Sequence, residues 1–134
     1  VQHGPGDAIV LAGINDIASG RSLSTIQANL AATYSHLKAQ GYRVIAVTLT
    51  PWGGYSRFTP AMGEKQRQLN AWLRTKPEGV DCVVDVYPHF STPNGVLLSQ
   101  YDSGDHLHLN NVGQVELGRE IARQAYGLQV IYAG

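Results

Sequence analysis

The sequence predicts an α/β fold, a parallel sheet flanked by helices. Three observations carry that expectation. Apolar runs too short for helices alternate with longer segments of helical periodicity, in the order strand, helix, strand, helix, strand, helix. The first run is continuous rather than alternating, the pattern of a strand buried on both faces. The connections are rich in Gly, Pro, Asn and Asp, the residues that end such elements.

Each element has a local reason. "DAIVLAG", residues 7–13, is the first strand, bounded by Gly6 and Gly13. "GRSLSTIQANLAATYSHLKAQG" follows, with Ile26, Leu30, Ala31, Tyr34 and Leu37 at helical spacing, Ser22 or Ser24 as N-cap and Gly41 as the stop. "YRVIAVTLT", 42–50, is a second strand of mostly β-branched residues ended by Pro51. After the loop "PWGGYSRFTP", a helix is expected from Pro60 to Thr75, with Met62, Leu69, Trp72 and Leu73 facing inward. "VDCVVDVYPHF", 80–90, reads as the third strand. A long connection leads to a last helix starting at Asn110 or Asn111. There Asn111 and Gln114 have capping-box spacing, and Val112, Val115, Ile121, Ala122 and Ala125 form an apolar side.

Composition narrows the function classes. The 134 residues fit one domain, and 43% of them are hydrophobic, enough for a core. Ten Lys and Arg balance ten Asp and Glu, so the cationic excess of a nucleic-acid binder is missing. No apolar run reaches the roughly 18 residues of a membrane-spanning helix. A single cysteine, Cys82, excludes an internal disulfide; on a strand among apolar neighbours it is expected to be a packed thiol rather than a nucleophile. Asp81 and Asp85 flank it and are expected at strand ends or facing loops. The start, "VQHGPGDAIVLAG", has no Met and enters a strand almost at once, as if the chain began partway through a domain.

The chemistry-bearing stretch is "DSGDHLHLNNVG", residues 102–113. An aspartate three residues before a histidine can fold back to accept the imidazole Nδ1 proton, fixing tautomer and orientation for a general base; Asp105 and His108 have that spacing. The alternative is an Asp that only caps its own turn. His106 and His108 also form an H-x-H pair able to share a metal with Asp102 or Asp105, but no further ligand cluster appears, and His106 is expected at the rim. In "GIND" after the first strand, Gly13 lets the backbone turn and Asn15 offers an amide N–H for an oxyanion, while Asp16 caps the turn; an ordinary Asn-Asp loop is the competing reading. Trp52 and Tyr55, with Phe58, are open between lining a substrate and packing on the neighbouring helix. His3, His36 and His89 show no partner. Strand order brings the two polar clusters to the carboxyl edge of the sheet, where ligands sit in such folds.

Together, Gly13-Ile14-Asn15-Asp16 and Asp105-His106-Leu107-His108, with "TLTPWGGY…TP", "LNAWLRT", "VDCVVDVY" and "YDSGDHLHLNNVG" in order, resemble the SGNH (GDSL-type) serine hydrolases, in their secreted bacterial esterase-like branch. The likeness covers residues 7–126. It implies a three-layer, flavodoxin-like sheet of order 2-1-3-4-5, of which this chain holds strands 3, 4 and 5. It further implies His108 as base, Asp105 as its orienting acid, Asn15 in the oxyanion hole, no cofactor and no metal. The substrate would be a small ester or an acylated carbohydrate or lipid, and the location extracellular. Leu109 stands where the family usually has Pro.

The family's nucleophilic serine lies in a Gly-Asp-Ser block after its first strand, and a Gly from a second block completes the oxyanion hole. Neither has a match here: "GDA" at 6–8 carries no hydroxyl, and Ser19, Ser22, Ser24, Ser91, Ser99 and Ser103 lack the context. The resemblance thus implies a serine from outside this chain and an exposed first strand, residues 7–13, covered by an N-terminal segment of the same protein or by a second copy. A catalytically inert fragment serving as a dimer or binding module is the rival expectation, and a metal-dependent hydrolase on His106 and His108 the third.

Overall fold

The computed structural model of the chain describes residues 5–128; His3 lies outside them. Two compact units form, Val1–Leu49 with Thr59–Asp85, and Thr50–Phe58 with Val86–Gly134.

The first unit holds the expected parallel sheet. Its strands β1 (Asp7–Val10), β2 (Arg43–Val47) and β3 (Cys82–Val84) lie in the order β1-β2-β3. Ile9 pairs with Ile45, and Ile45 with Cys82. Helices α1 (Ile14–Ala18) and α2 (Leu23–Ala39) connect β1 to β2, and α3 (Pro60–Arg74) lies between β2 and β3 in sequence. Val44, Ile45, Ala46 and Val47 are buried on both faces, as an apolar run in a central strand must be. β1 does not share that burial. It lies at the sheet edge, shorter than the seven residues expected, and Ile9 and Leu11 are 49% and 40% exposed.

Ser22 caps α2 as the sequence implies, and Thr59, which the sequence reading did not single out, caps α3. Ser22 and Thr59 accept the Thr25 and Met62 N–H groups, each satisfying one orphan donor of a first helical turn. Ile26, Leu30 and Tyr34 of α2 are buried, whereas Ala31 is exposed and Leu37 half-buried. Burial without a partner charge pushes the Tyr34 phenol up to about 12. On α3, Leu69 and Leu73 are buried as expected, but Met62 and Trp72 are half-buried and Gln66 and Asn70 join the core. Asn70 is there because its amide closes the end of β2: it accepts the Leu49 N–H at 2.8 Å and donates to the Leu49 carbonyl at 3.2 Å. Asp81 and Asp85 do sit at the ends of β3. Asp81 accepts the Val44 N–H and pairs with Lys38, and Asp85 bonds Thr48 and Arg74. Cys82 is half-buried rather than packed away.

Two elements differ in kind from the expectation. "GIND" opens a helix: Gly13 is the residue before α1, at φ 136°, and a Cβ there would stand 3.0 Å from Leu69 Cδ2. Asp16 lies in the first helical turn and pairs with Arg21 at 3.1 Å instead of capping a loop. The expected strand over 80–90 ends at Val84, and Tyr87–Phe90 forms a short helix, α4. Pro88 explains the change, since it can donate no ladder hydrogen bond yet suits a first helical turn.

α4 belongs to the second unit, with a single 3₁₀ turn at Ser99–Tyr101 and the last helix, α5 (Asn111–Tyr126). Phe90 is buried and meets Tyr101 edge-on, ring centroids 5.0 Å apart. Trp52, 1% exposed, packs edge-on against Phe58 at 5.0 Å, and Gly53 donates to the Gly95 carbonyl. Asn110, not Asn111, caps α5, accepting from the Gly113 N–H at 2.8 Å, so the Asn111–Gln114 box is not used. The expected apolar side of α5 is only partly inward. Gly113 and Glu120 are buried, Ile121, Ala122 and Ala125 half-buried, and Val112 and Val115 exposed.

Candidate active site

The loop from Asp102 to Leu109 is closed at its base by backbone. Asp102 and Leu109 form an antiparallel bridge, Ser103 donates to the His108 carbonyl at 3.0 Å, and Asn110 donates to the Tyr101 carbonyl at 2.9 Å. The Asn110 amide adds bonds to the Gln100 and Asp102 carbonyls while its oxygen caps α5. One side chain thus fixes both the loop and the helix that follows.

On this frame Asp105 folds back as its spacing predicts. Its Oδ1 accepts the N–H groups of Leu107 at 2.9 Å and His108 at 2.8 Å and the Ser103 hydroxyl at 3.1 Å. Its Oδ2 lies 2.5 Å from His108 Nδ1. The His108 ring, followed by the backbone donors, holds the Asp105 carboxyl well below the usual carboxylate range. An ionised acid on Nδ1 keeps a proton there and leaves the lone pair on Nε2. His108 is 73% exposed, and among the described residues nothing else bonds Nε2. Chemically, an imidazole held this way has the arrangement that general-base work requires.

A second pair was not foreseen. Asp102, its side chain 8% exposed, accepts the Gly104 N–H at 2.8 Å and the His106 N–H at 3.0 Å, and its Oδ2 lies 2.5 Å from His106 Nδ1. Burial works to raise this carboxyl, but those donors outweigh it and the net shift is downward. His106 has φ 65°, a left-handed conformation that costs a non-glycine residue of order 1–3 kcal/mol. Two bonds to Asp102, from its own N–H and from its ring, hold it there. Its ring also needs Gly54 to be bare, since a Cβ on Gly54 would stand 3.0 Å from His106 Cβ. The available signal was Asp and His four residues apart around a glycine. Because both Nδ1 atoms face carboxylates, the H-x-H pair is not arranged as a two-nitrogen metal clamp through them.

The other candidates lie on different elements. Asn15 stands exposed in the second position of α1, in the first unit, whereas Asp105 and His108 belong to the second. The Trp52 ring is packing rather than lining; Tyr55 beside it, at 6.2 Å, is half-buried. Ser103 supports Asp105, and Ser22 caps α2. His36 contacts Gln40 at 3.0 Å, and His89, expected to lack a partner, meets Glu116 at 2.7 Å. With Glu120, these two are the side chains that could surround a metal ion among the described residues.

Comparison with known proteins follows the same lines. Among curated proteins nothing matches. The chain is similar to a GDSL-like lipase from Bacteroides thetaiotaomicron, at 19% identity and TM-score 0.74, with 92% of this chain and 64% of that one covered. It is also similar to the OSK domain of Drosophila Oskar, at 18% identity and TM-score 0.75, with 94% and 64% covered. At such identities the likeness is one of fold, and the chain spans less than two thirds of either structure. No helix among the described residues is long and apolar enough to cross a membrane. The model of the GDSL-like lipase/acylhydrolase family matches residues 2–115, a span that includes "GIND" and both Asp–His pairs. The three-stranded parallel sheet, the carboxylate-fixed imidazole and that match agree: the chain belongs to the GDSL-like lipase/acylhydrolase family.

Proposed function

We propose that this chain supplies the base and its orienting acid for ester hydrolysis by a serine mechanism, with the serine coming from outside residues 1–134. The observation that carries the proposal is the Asp105–His108 contact, 2.5 Å to Nδ1 with Nε2 uncommitted. Nε2 takes the hydroxyl proton as the serine oxygen attacks the ester carbonyl carbon. The proton then goes to the departing alcohol, leaving an acyl-enzyme. Water repeats the sequence and releases the acid. The family motif assigns Asn15 to the developing oxyanion, and Tyr55 is the remaining candidate for a substrate wall. Substrates of this chemistry are small acyl esters or acylated carbohydrates or lipids. Hydrolysis of p-nitrophenyl acetate by the whole protein tests the proposal: His108→Ala should lower the rate by about 10³-fold or more. Equal rates in variant and parent would refute it.

A second reading, a binding module or homodimer without catalysis, is favoured by one observation, the exposed Ile9 of the edge strand β1 with exposed Leu11 just beyond its end. An exposed apolar edge pairs or aggregates. Light scattering combined with the esterase assay separates the readings. An inactive dimer dispersed by Ile9→Lys supports the module, and an active protein unaffected by that change rejects it.

A further inference from the structure

His89, Glu116 and Glu120 take no part in the chemistry proposed above. Ligand atoms from the three side chains all lie within 4.8 Å of one another. Glu116 and Glu120 are one turn apart on α5, so both carboxylates stand on one helix face, and His89 reaches them from α4. The imidazole is held in place by aromatic neighbours. It stacks on Tyr101 at 6.3 Å with an interplanar angle of 19°, and meets Phe90 edge-on at 5.4 Å.

We propose that His89, Glu116 and Glu120 form a binding site for a divalent transition-metal ion, with Zn²⁺ the best match. One imidazole nitrogen with two carboxylate oxygens suits borderline ions, whereas Ca²⁺ and Mg²⁺ take all-oxygen sets. Zinc bonds of about 2.0–2.2 Å place neighbouring tetrahedral donors roughly 3.3 Å apart. The proposal requires the donors, now within 4.8 Å of one another, to draw together to that spacing. Three protein ligands leave a fourth position for water.

The donors are prepared for an ion. The side chains of Glu116 and Glu120 are only 16% and 9% exposed. Arg123 donates to both Glu120 oxygens, at 3.1 and 2.7 Å, and fixes the carboxylate on the helix face. The carboxylates already have partners: Arg119 on Glu116, and Arg123 and Gln124 on Glu120, all on α5 within one turn. Arg119 can stay on Glu116 Oε2 as an outer-shell partner, whereas Arg123 must release one of the two Glu120 oxygens to the ion and can keep the other. The hydrogen between His89 Nε2 and Glu116 must leave that nitrogen, to Nδ1 or to solvent, before Nε2 can ligate. The bound ion would tie α4 to α5.

Titration of the purified protein with Zn²⁺ by calorimetry, and with Co²⁺ by visible absorption, tests this directly. The proposal expects one equivalent of either ion, a cobalt spectrum in the visible, and a rise in Tm with saturating Zn²⁺. His89→Ala should weaken binding at least about tenfold, and so should Glu116→Gln, which keeps the side-chain shape if the first variant fails to fold. His106→Ala should leave binding unchanged. The proposal is overturned if no equivalent binds, if both Zn²⁺-site variants bind as the parent does, or if His106→Ala is the change that abolishes binding.

Discussion

Replacing Asp105 by Asn tests the site at its electrostatic centre. Oδ1 receives three donors, the Leu107 and His108 N–H groups and the Ser103 hydroxyl. An amide in that place must keep its oxygen toward them, because reversal would set its NH₂ against two backbone N–H groups. The NH₂ then points at His108 Nδ1, now 2.5 Å from an oxygen. A donor there makes Nδ1 the acceptor and moves the ring proton to Nε2, so the base has no lone pair to use. The fold around the loop survives, since the backbone bonds to Oδ1 remain. A base in the wrong tautomer lowers the rate by about 10⁴-fold in serine proteases. At about 1.4 kcal/mol per tenfold, that is roughly 5.5 kcal/mol of barrier. Long-range ¹H–¹⁵N correlation of the imidazole reads the tautomer, and ester hydrolysis by the whole protein reads the rate. A proton that stays on Nδ1 in the variant, or a rate loss under tenfold, would refute the reasoning.

The remaining expectations span stability and chemistry. Asn70→Ala strips both partners from a Leu49 backbone that is itself buried. At about 1–3 kcal/mol for each unsatisfied group, the loss should be about 3 kcal/mol in urea unfolding, and a loss under about 1 would show the clamp to be dispensable. Glu120 has a carboxyl depressed from 4.5 to about 2 in the fold, so its contribution is complete above pH 4.5 and disappears as pH falls toward 2. Thermal unfolding across that window should show Glu120→Gln less pH-dependent than the parent; parallel curves would exclude the carboxylate as the cause. Asn15→Ala should cost about 10²–10³ in kcat if its amide serves the oxyanion, and an unchanged kcat would remove it from the chemistry.

What the sequence disclosed follows the range of the forces involved. The alternation of strands and helices and most helix ends were legible because they rest on local periodicity and on caps such as Ser22; the order of the strands came from the family resemblance. Asp105 and His108 were legible because three residues of a tight turn suffice to join them. "VYPHF" was misread since a short apolar run serves strand and helix equally, and the weight of Pro88 was missed. The burial of Asn70 depends on a carbonyl and an amide 21 residues away, and the His89–Glu116 contact spans 27, distances at which sequence carries no pairing signal. Val112 and Val115 fit a helical apolar stripe and yet stand exposed, because periodicity names a face without naming what covers it. Asp102 and His106 were local but disguised: their pairing needs the left-handed φ of His106, a conformation unusual for a side-chain-bearing residue.

The most direct test of the central claim is fluorophosphonate labelling of the whole protein, read by intact mass, in the parent and in His108→Ala. A serine activated by His108 should be labelled in the parent, on a segment outside residues 1–134, and lose reactivity in the variant. Equal labelling of both, or none on protein shown to be folded, would contradict the assignment of His108 as the base.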